Sequence, residues 1–490
     1  MGSTFLRIIK NTMQIFVEVY KEFLLESTIG GLKYMILAKT KLERFIWMII
    51  LLLSFFAAGR LTCLLYYRHQ IGSINTFVIT TQYSTSMLEL PALTLCHGGI
   101  AMAHKMNPFL TSQKRIFMPR GLTRADFEES IKYLREAVYS TNSFPDEIDK
   151  LQQILSANQL SLVDLFENIN ANCSDFLLMC QFEGKTVNCS ELIEPVLTPY
   201  GICCAFNYEN SHRQRSTKLL KRNSGRVGLH FILSFLMKSY SSKDYISSLM
   251  QGDGVKVMVH ERNSYPSAKV LEFFSAAGHE TIAQLDGTRT TSTSDVLGLP
   301  SHLRGCSSGL RRDNRQDNCY NKCRDDYIQE HCGCHPLSAR PIERGKQWCN
   351  LNHIPCMARI LLFSTYKLMK YKQCNCLPNC EGTTYRVALT AAPLNAAQYS
   401  PNPFYKKVLE YQNVTALHLT FVGQTAMLQK RKLMFSNINL LSSLGGVFGL
   451  FLGCSIISII EILYFFCIFF VRKFQSRDAQ RKIWMTFIKN

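Results

Sequence analysis

Residues 444 to 461 read LGGVFGLFLGCSIISIIE. This apolar stretch holds four glycines (Gly445, Gly446, Gly449 and Gly453), a Gly-x-Ser step made by Gly453, Cys454 and Ser455, and one acid, Glu461. Leucine alone suffices to span a bilayer, so small residues at i, i+4 spacing together with a carboxylate imply helices packed closely around a polar path. Gly445, Gly449 and Gly453 share one helical face, and without a Cβ they let a neighbouring helix approach or the helix itself break. The other reading of that face is ordinary GxxxG packing between lipid-embedded helices. A carboxylate at mid-membrane costs about 3 kcal/mol unless it meets water or a partner, so Glu461 is either part of a polar path or a snorkelling acid.

Residues of this kind need membrane-spanning elements to hold them. The chain has 490 residues, 47% of them hydrophobic, but the apolar ones concentrate in two blocks, residues 45–67 and residues 437–471. Each block can cross about 30 Å of hydrocarbon. No small-residue cleavage site follows a charged leader in residues 1–44, so the first block acts as its own insertion signal. Lys39, Lys41 and Arg44 precede it, and Arg472, Lys473, Arg477, Arg481 and Lys482 follow the second block. The positive-inside rule then places residues 1–44 and the 472–490 tail in the cytosol and residues 68–436 outside, as in a multi-pass plasma-membrane protein. Arg60, inside the first block, reads as snorkelling towards the outer leaflet.

The central region carries the sequons at Asn172, Asn188 and Asn413, candidate glycosylation sites, and every cysteine except Cys63, Cys454 and Cys467. Sixteen cysteines in an oxidising compartment point to disulfides. The formal net charge is +19, but only part of it sits in the cytosolic flanks, and an outside domain meets no nucleic acid. The basic run over 213–226, RQRSTKLLKRNSGR, is either a solvated loop or a protease-sensitive one.

Within that region, 77–95 mixes β-branched residues with Pro91 and predicts short strands. Residues 123–165 carry Glu, Lys, Leu and Ala at helical spacing, interrupted around 143–145. Residues 256–260 and 416–422 read as strands, so the expected fold class is α+β, a helical lobe over a β scaffold. Ten cysteines between Cys306 and Cys380 suggest a lobe held by cross-links more than by a core. Cys332, Cys334, His335 and His353 raise a zinc site as an alternative, against which stands the lack of paired Cys-x2-Cys knuckles. The neighbours Asp325 and Asp326 read as solvated loop acids, and no nucleophile-base or metal-ligand constellation suggests an enzyme or a cofactor.

Four anchors follow one another along the chain: Leu90-Pro91-Ala92-Leu93-Thr94-Leu95-Cys96, Gly201-Ile202-Cys203-Cys204-Ala205-Phe206-Asn207, Cys374-x-Cys376-Leu377-Pro378-Asn379-Cys380, and the Gly-x-Ser span. In this order they resemble the degenerin/epithelial sodium channel family, and the doublet at Cys203 and Cys204 with Cys189 is most similar to its insect pickpocket branch. The resemblance implies a trimer, homomeric or heteromeric, whose subunits carry two transmembrane helices flanking a disulfide-rich ectodomain with a β palm and helical finger and thumb lobes. It implies a bridge map: Cys96 with Cys203, Cys173 with Cys180, Cys189 with Cys204, Cys306 with Cys380, Cys319 with Cys376, Cys323 with Cys374, Cys332 with Cys356, and Cys334 with Cys349.

The same resemblance implies an amiloride-sensitive, Na+-selective channel. Gly453, Cys454 and Ser455 match the family's selectivity filter, where an interrupted helix offers oxygen ligands to a partly dehydrated ion. Gly449 matches the position linked to amiloride block, and Glu461 would form an acidic ring below the filter. The family's gating His-Gly pair appears here as Gly30-Gly31, and Ser443 stands where some members carry an acid at the outer mouth. That departure leaves open a subunit that conducts only beside a relative, or a sensory receptor subunit that binds a ligand. A trimeric ATP-gated channel of similar topology would need lysine-rich phosphate contacts and fewer ectodomain cysteines.

Overall fold

The computed structural model describes residues 2–72, 74–111, 116–135, 146–198, 200–209, 233–240, 243–248, 250, 252–266, 270–308, 315–336, 347–363, 374, 376–411 and 413–489. The basic run 213–226 and the interruption at 143–145 lie outside the described residues. The chain forms two compact units, Met1–Asn75 with Leu433–Asn490, and Thr76–Lys432.

The described strands run in chain order as β1 (Ile74–Ser84), β2 (Ala92–His97), β3 (Gly99–Met102), β4 (Leu177–Phe182), β5 (Lys185–Val187), β6 (Ile193–Thr198), β7 (Gly201–Phe206), β8 (Leu233–Lys238), β9 (Tyr245–Ser248), β10 (Gly254–His260), β11 (Leu271–Ala276), β12 (His279–Ser292), β13 (Gly382–Pro393), β14 (Val414–Phe421) and β15 (Thr425–Leu433). The larger sheet has the order β1-β15-β12-β14-β8-β4-β5, with β13 on the other edge of β12, and a smaller sheet has the order β11-β10-β2-β7-β6. Strand β12 is long enough to serve two partners on one side. Its first half pairs in parallel with β14 and its second half with β15, so both strands lie along one edge of β12.

Apolar faces of the two sheets meet in one core that includes Leu93, Leu95, Phe206, Phe235, Val257, Leu285, Leu417 and Leu419. Each fully buried side chain of this type contributes about 1.5–3 kcal/mol. A second core joins helices drawn from distant parts of the chain. Leu162, Leu165, Phe166 and Ile169 recur at i, i+3, i+4, i+7 on one helix and pack with Phe127, Ile131, Ile148 and Leu151, and with Ile328, Leu351 and Ile354 of the cysteine-rich segment. Thr123 and Ser161 start their helices with reciprocal capping boxes to Asp126 and Asp164.

Eight disulfides join sixteen of the described cysteines, and two depart from the implied map. Cys173 pairs with Cys204, not with Cys180, and Cys189 pairs with Cys180, not with Cys204. Strand register is the reason. In the β4–β5 hairpin Cys180 stands opposite Val187, which brings Cys189 beside it just beyond the open end. Successive side chains of β7 point to opposite faces, so Cys203 meets Cys96 on one face while Cys204 faces the main core, against which Cys173 packs. The other six bridges join Cys96 to Cys203, Cys306 to Cys380, Cys319 to Cys376, Cys323 to Cys374, Cys332 to Cys356 and Cys334 to Cys349. Cys332 and Cys334 are therefore not thiolate ligands for zinc.

Candidate functional site

The first unit is built on a helix from Lys41 to Ile71, longer than the 45–67 block because Thr40 caps one end and Gly72, at φ 58°, closes the other. Its 31 residues extend about 46 Å. Among the described residues it is the one helix that is by itself long and apolar enough to cross a membrane. Asn437–Leu452 and Ile456–Arg472 pass the same test only as a pair, bent by 72° where they join. Asn437–Leu452 begins at Ser436, whose Oγ accepts from the Asn439 N–H at 3.3 Å. It packs along the Lys41–Ile71 helix, with His69 Nε2 and Asn437 Oδ1 2.9 Å apart.

The bend falls at Gly453, Cys454 and Ser455. Gly453 takes φ +63°, a left-handed conformation that costs a residue with a Cβ about 1–2 kcal/mol. The Gly453 and Cys454 N–H groups donate back to Gly449 O at 3.0 Å and Phe448 O at 3.2 Å, which ends the first half-helix. Ser455 opens the second half. Its Oγ accepts from the Ser458 N–H at 3.4 Å while Ser458 Oγ accepts from the Ser455 N–H at 3.1 Å. Gly445, Gly446 and Gly449 are exposed, and a Cβ added at Gly445 or Gly446 would meet nothing within 4 Å, so this face stays bare within the subunit. Cys454 is half-buried.

A loop from the N-terminal segment seats under the break. The Gly30 N–H donates to Leu452 O at 2.8 Å, capping one of the carbonyls that a helix C-terminus leaves open. A Cβ at Gly30 would lie 3.3 Å from that same oxygen. Gly31 takes φ +89°, and a Cβ there would come 3.0 Å from Leu51 Cδ2, so both its backbone conformation and its close packing call for glycine. Two residues before Gly30, the Thr28 N–H and Oγ1–H donate to Glu461 Oε2 at 3.0 and 2.9 Å, and Thr28 Oγ1 lies 2.7 Å from Ser458 Oγ. The Glu461 carboxylate thus holds the N-terminal loop. Continuing along the two helices away from the break, Phe23 meets Phe465 edge-on, Phe16 meets Phe469, and Arg472 pairs with Glu22 at 2.9 Å.

Thr28 and Ser458 are the site residues the sequence reading missed. Ser455 and Ser458 do have capping-box spacing, which could have flagged Ser458. Thr28 offers no local signal, because its partner Glu461 lies 433 residues away.

In the second unit, Asn172, Asn188 and Asn413 are all exposed. Of the two neighbouring acids only Asp326 is exposed. Asp325 is buried on the helix Gln316–Cys332, contrary to the solvated-loop reading, because that helix turns it inward beside Arg324, 3.0 Å away. Burial pushes the Asp325 carboxyl up to about 6 against the opposing pull of Arg324. Burial also lowers His97 to about 4, and its Nε2 meets Asn170 Oδ1 at 2.5 Å.

Residues 23–465 match the family model described as amiloride-sensitive sodium channel. Sodium channel protein Nach of Drosophila melanogaster is 25% identical over 486 residues, covering 94% of this chain and 89% of that protein. Pickpocket protein 28 of the same organism is 22% identical, covering 95% and 82%. The human bile acid-sensitive ion channel is 22% identical, covering 92% and 88%. The match begins inside the N-terminal helix and ends beyond Glu461, so it takes in the loop, the break and the whole cysteine-rich unit between them. This chain therefore belongs to the degenerin/epithelial sodium channel family, a family of ion channels and not of enzymes.

Proposed function

We propose that the chain is a pore-forming subunit of a trimeric, Na+-selective channel of the plasma membrane, blocked by amiloride and gated by an extracellular or mechanical stimulus acting on residues 68–436. In this reading both apolar segments span the bilayer and both termini are cytosolic. The supporting observation is the break at Gly453–Ser455: a half-helix ends there in carbonyls that carry partial negative charge, beside the Ser455 hydroxyl. Oxygen ligands at a narrow waist favour a small hard cation. The bare face at Gly445 and Gly446 is where the other subunits approach, Gly449 is the blocker position, and Glu461 adds negative charge below the filter while its Oε2 holds Thr28. Na+ is the permeant ion and no cofactor takes part. Voltage clamp of the chain expressed alone, with Na+/K+ substitution and amiloride, tests this. A Na+ current that amiloride blocks supports it, and silence both alone and beside pickpocket relatives contradicts it.

One observation favours a second reading, an obligate partner subunit. Gly30 retains the backbone bond to Leu452 O but has no side chain to reach a neighbouring subunit, which removes whatever the family's histidine contributes to opening. Silence alone with current beside a relative selects this reading.

A further inference from the structure

Two of the three sequons contain a cysteine as their middle residue. Asn172-Cys173-Ser174 and Asn188-Cys189-Ser190 have it, whereas Asn413-Val414-Thr415 does not. Both of those asparagines border one cavity of about 900 Å3, with Leu177, Met179, Val187 and Ile193. Their cysteines differ in direction of pairing. Cys189 pairs backwards with Cys180, nine residues earlier, and Cys173 pairs forwards with Cys204, 31 residues later.

Glycan transfer and disulfide closure compete for the same three residues. Transfer forms a C–N bond between the asparagine Nδ2 and the anomeric carbon of a lipid-pyrophosphate-linked oligosaccharide. The lipid pyrophosphate leaves and the amide proton passes to a base of the transferase. Disulfide closure joins two thiols, whose two electrons and two protons pass to the disulfide of a lumenal oxidoreductase, leaving it a dithiol. A transferase needs the sequon extended, with amide and hydroxyl both reachable. Once the Cys180–Cys189 hairpin closes, that condition is lost at Asn188. It becomes the N-cap of Cys189–Leu192, and its Oδ1 accepts from the Ser190 N–H at 3.2 Å and the Ser190 Oγ–H at 3.0 Å. Asn172 makes no such capping bond.

Chain order decides which reaction comes first. Chains grow at about 5–20 residues per second, so the 31 residues between Cys173 and Cys204 keep the Asn172 sequon open for about 1.5–6 s. Cys180, in contrast, is already in the lumen when Asn188 arrives. We propose that Asn172 and Asn413 carry N-glycans in essentially every chain, and Asn188 in only a fraction whose size is set by closure of the Cys180–Cys189 bridge. This rests on the proposed topology, in which residues 68–436 enter the lumen during synthesis.

Site-resolved peptide mass spectrometry of the full-length chain made in secretory cells reads all three occupancies. Partial occupancy at Asn188, rising about twofold or more in Cys180→Ala while Asn172 stays full, is expected. Synthesis of the wild-type chain under a membrane-permeant dithiol should give the same rise without any substitution, which separates the effect from misfolding of the variant. Asn188 as fully occupied as Asn172, or unmoved by either treatment, overturns the proposal. Absence of glycan at all three sites would instead overturn the topology and the proposal with it.

Discussion

Replacing Asp325 with Asn should stabilise the Gln316–Cys332 helix at neutral pH and leave it unchanged in acid. In the unfolded chain the Asp325 carboxyl releases its proton near its ordinary value of 3.8, and in the folded helix near 6. Between those values the folded form holds a proton that the unfolded form releases, so stability is fullest below about pH 4 and falls as pH rises towards 6 and beyond. A displacement of about two units corresponds to roughly 3 kcal/mol at pH 7.5. Asparagine carries no charge at any pH and escapes that penalty, but it weakens the contact that Arg324 makes with Asp325 Oδ1 at 3.0 and 3.2 Å, a loss of about 1 kcal/mol. The net gain of about 2 kcal/mol lowers the population of the locally open state about 30-fold. Hydrogen exchange over residues 316–332, in the full-length chain in detergent at pH 7.5 and 4.5, reads it directly after correction for intrinsic rates. Equal protection of variant and wild type at pH 7.5, or a gain that persists undiminished at pH 4.5, would refute the assignment of a buried, proton-retaining carboxyl.

Thr28→Val and Glu461→Ala should act as one lesion: each alone lowers the thermal stability of the solubilised chain, and the double variant costs less than their sum by about 1 kcal/mol, whereas strict additivity would mean that the two side chains do not interact. Gly254→Ala should abolish surface delivery, measured by biotinylation, because Gly254 has φ +151° and its added Cβ would lie 2.3 Å from Ser275 O across the β10–β11 pair; normal surface levels would refute that packing.

The sequence carried the broken helix well, because four glycines and a Gly-x-Ser step are local features and the left-handed turn sits at one of them, Gly453. The helical lobe was legible for a similar reason. Leu162, Leu165, Phe166 and Ile169 show their period within about two turns. What stayed hidden depends on contacts between distant residues. The Cys173–Cys204 and Cys180–Cys189 pairing follows from the register of β4 with β5 and the facing of β7, neither of which spacing reveals. Asp325 lies on a helix with no apolar stripe to mark its inner face, so its sequence neighbours suggest solvent. Glu461 reads from the sequence as a polar-path or snorkelling acid, and its bond to Thr28 is hidden because Thr28 stands at the other end of the chain.

The most direct test of a filter at Gly453–Ser455 is the reversal potential of the Na+ current in wild type and in Ser455→Trp, recorded beside a pickpocket relative if the chain is silent alone. Wild type should shift by about 59 mV for each tenfold change in external Na+ and discriminate strongly against K+. The tryptophan variant, crowding the hydroxyl that begins the second half-helix, should show a flattened slope and reduced Na+/K+ discrimination. Reversal potentials identical to wild type, in a variant that still reaches the surface and conducts, would contradict a filter at this break.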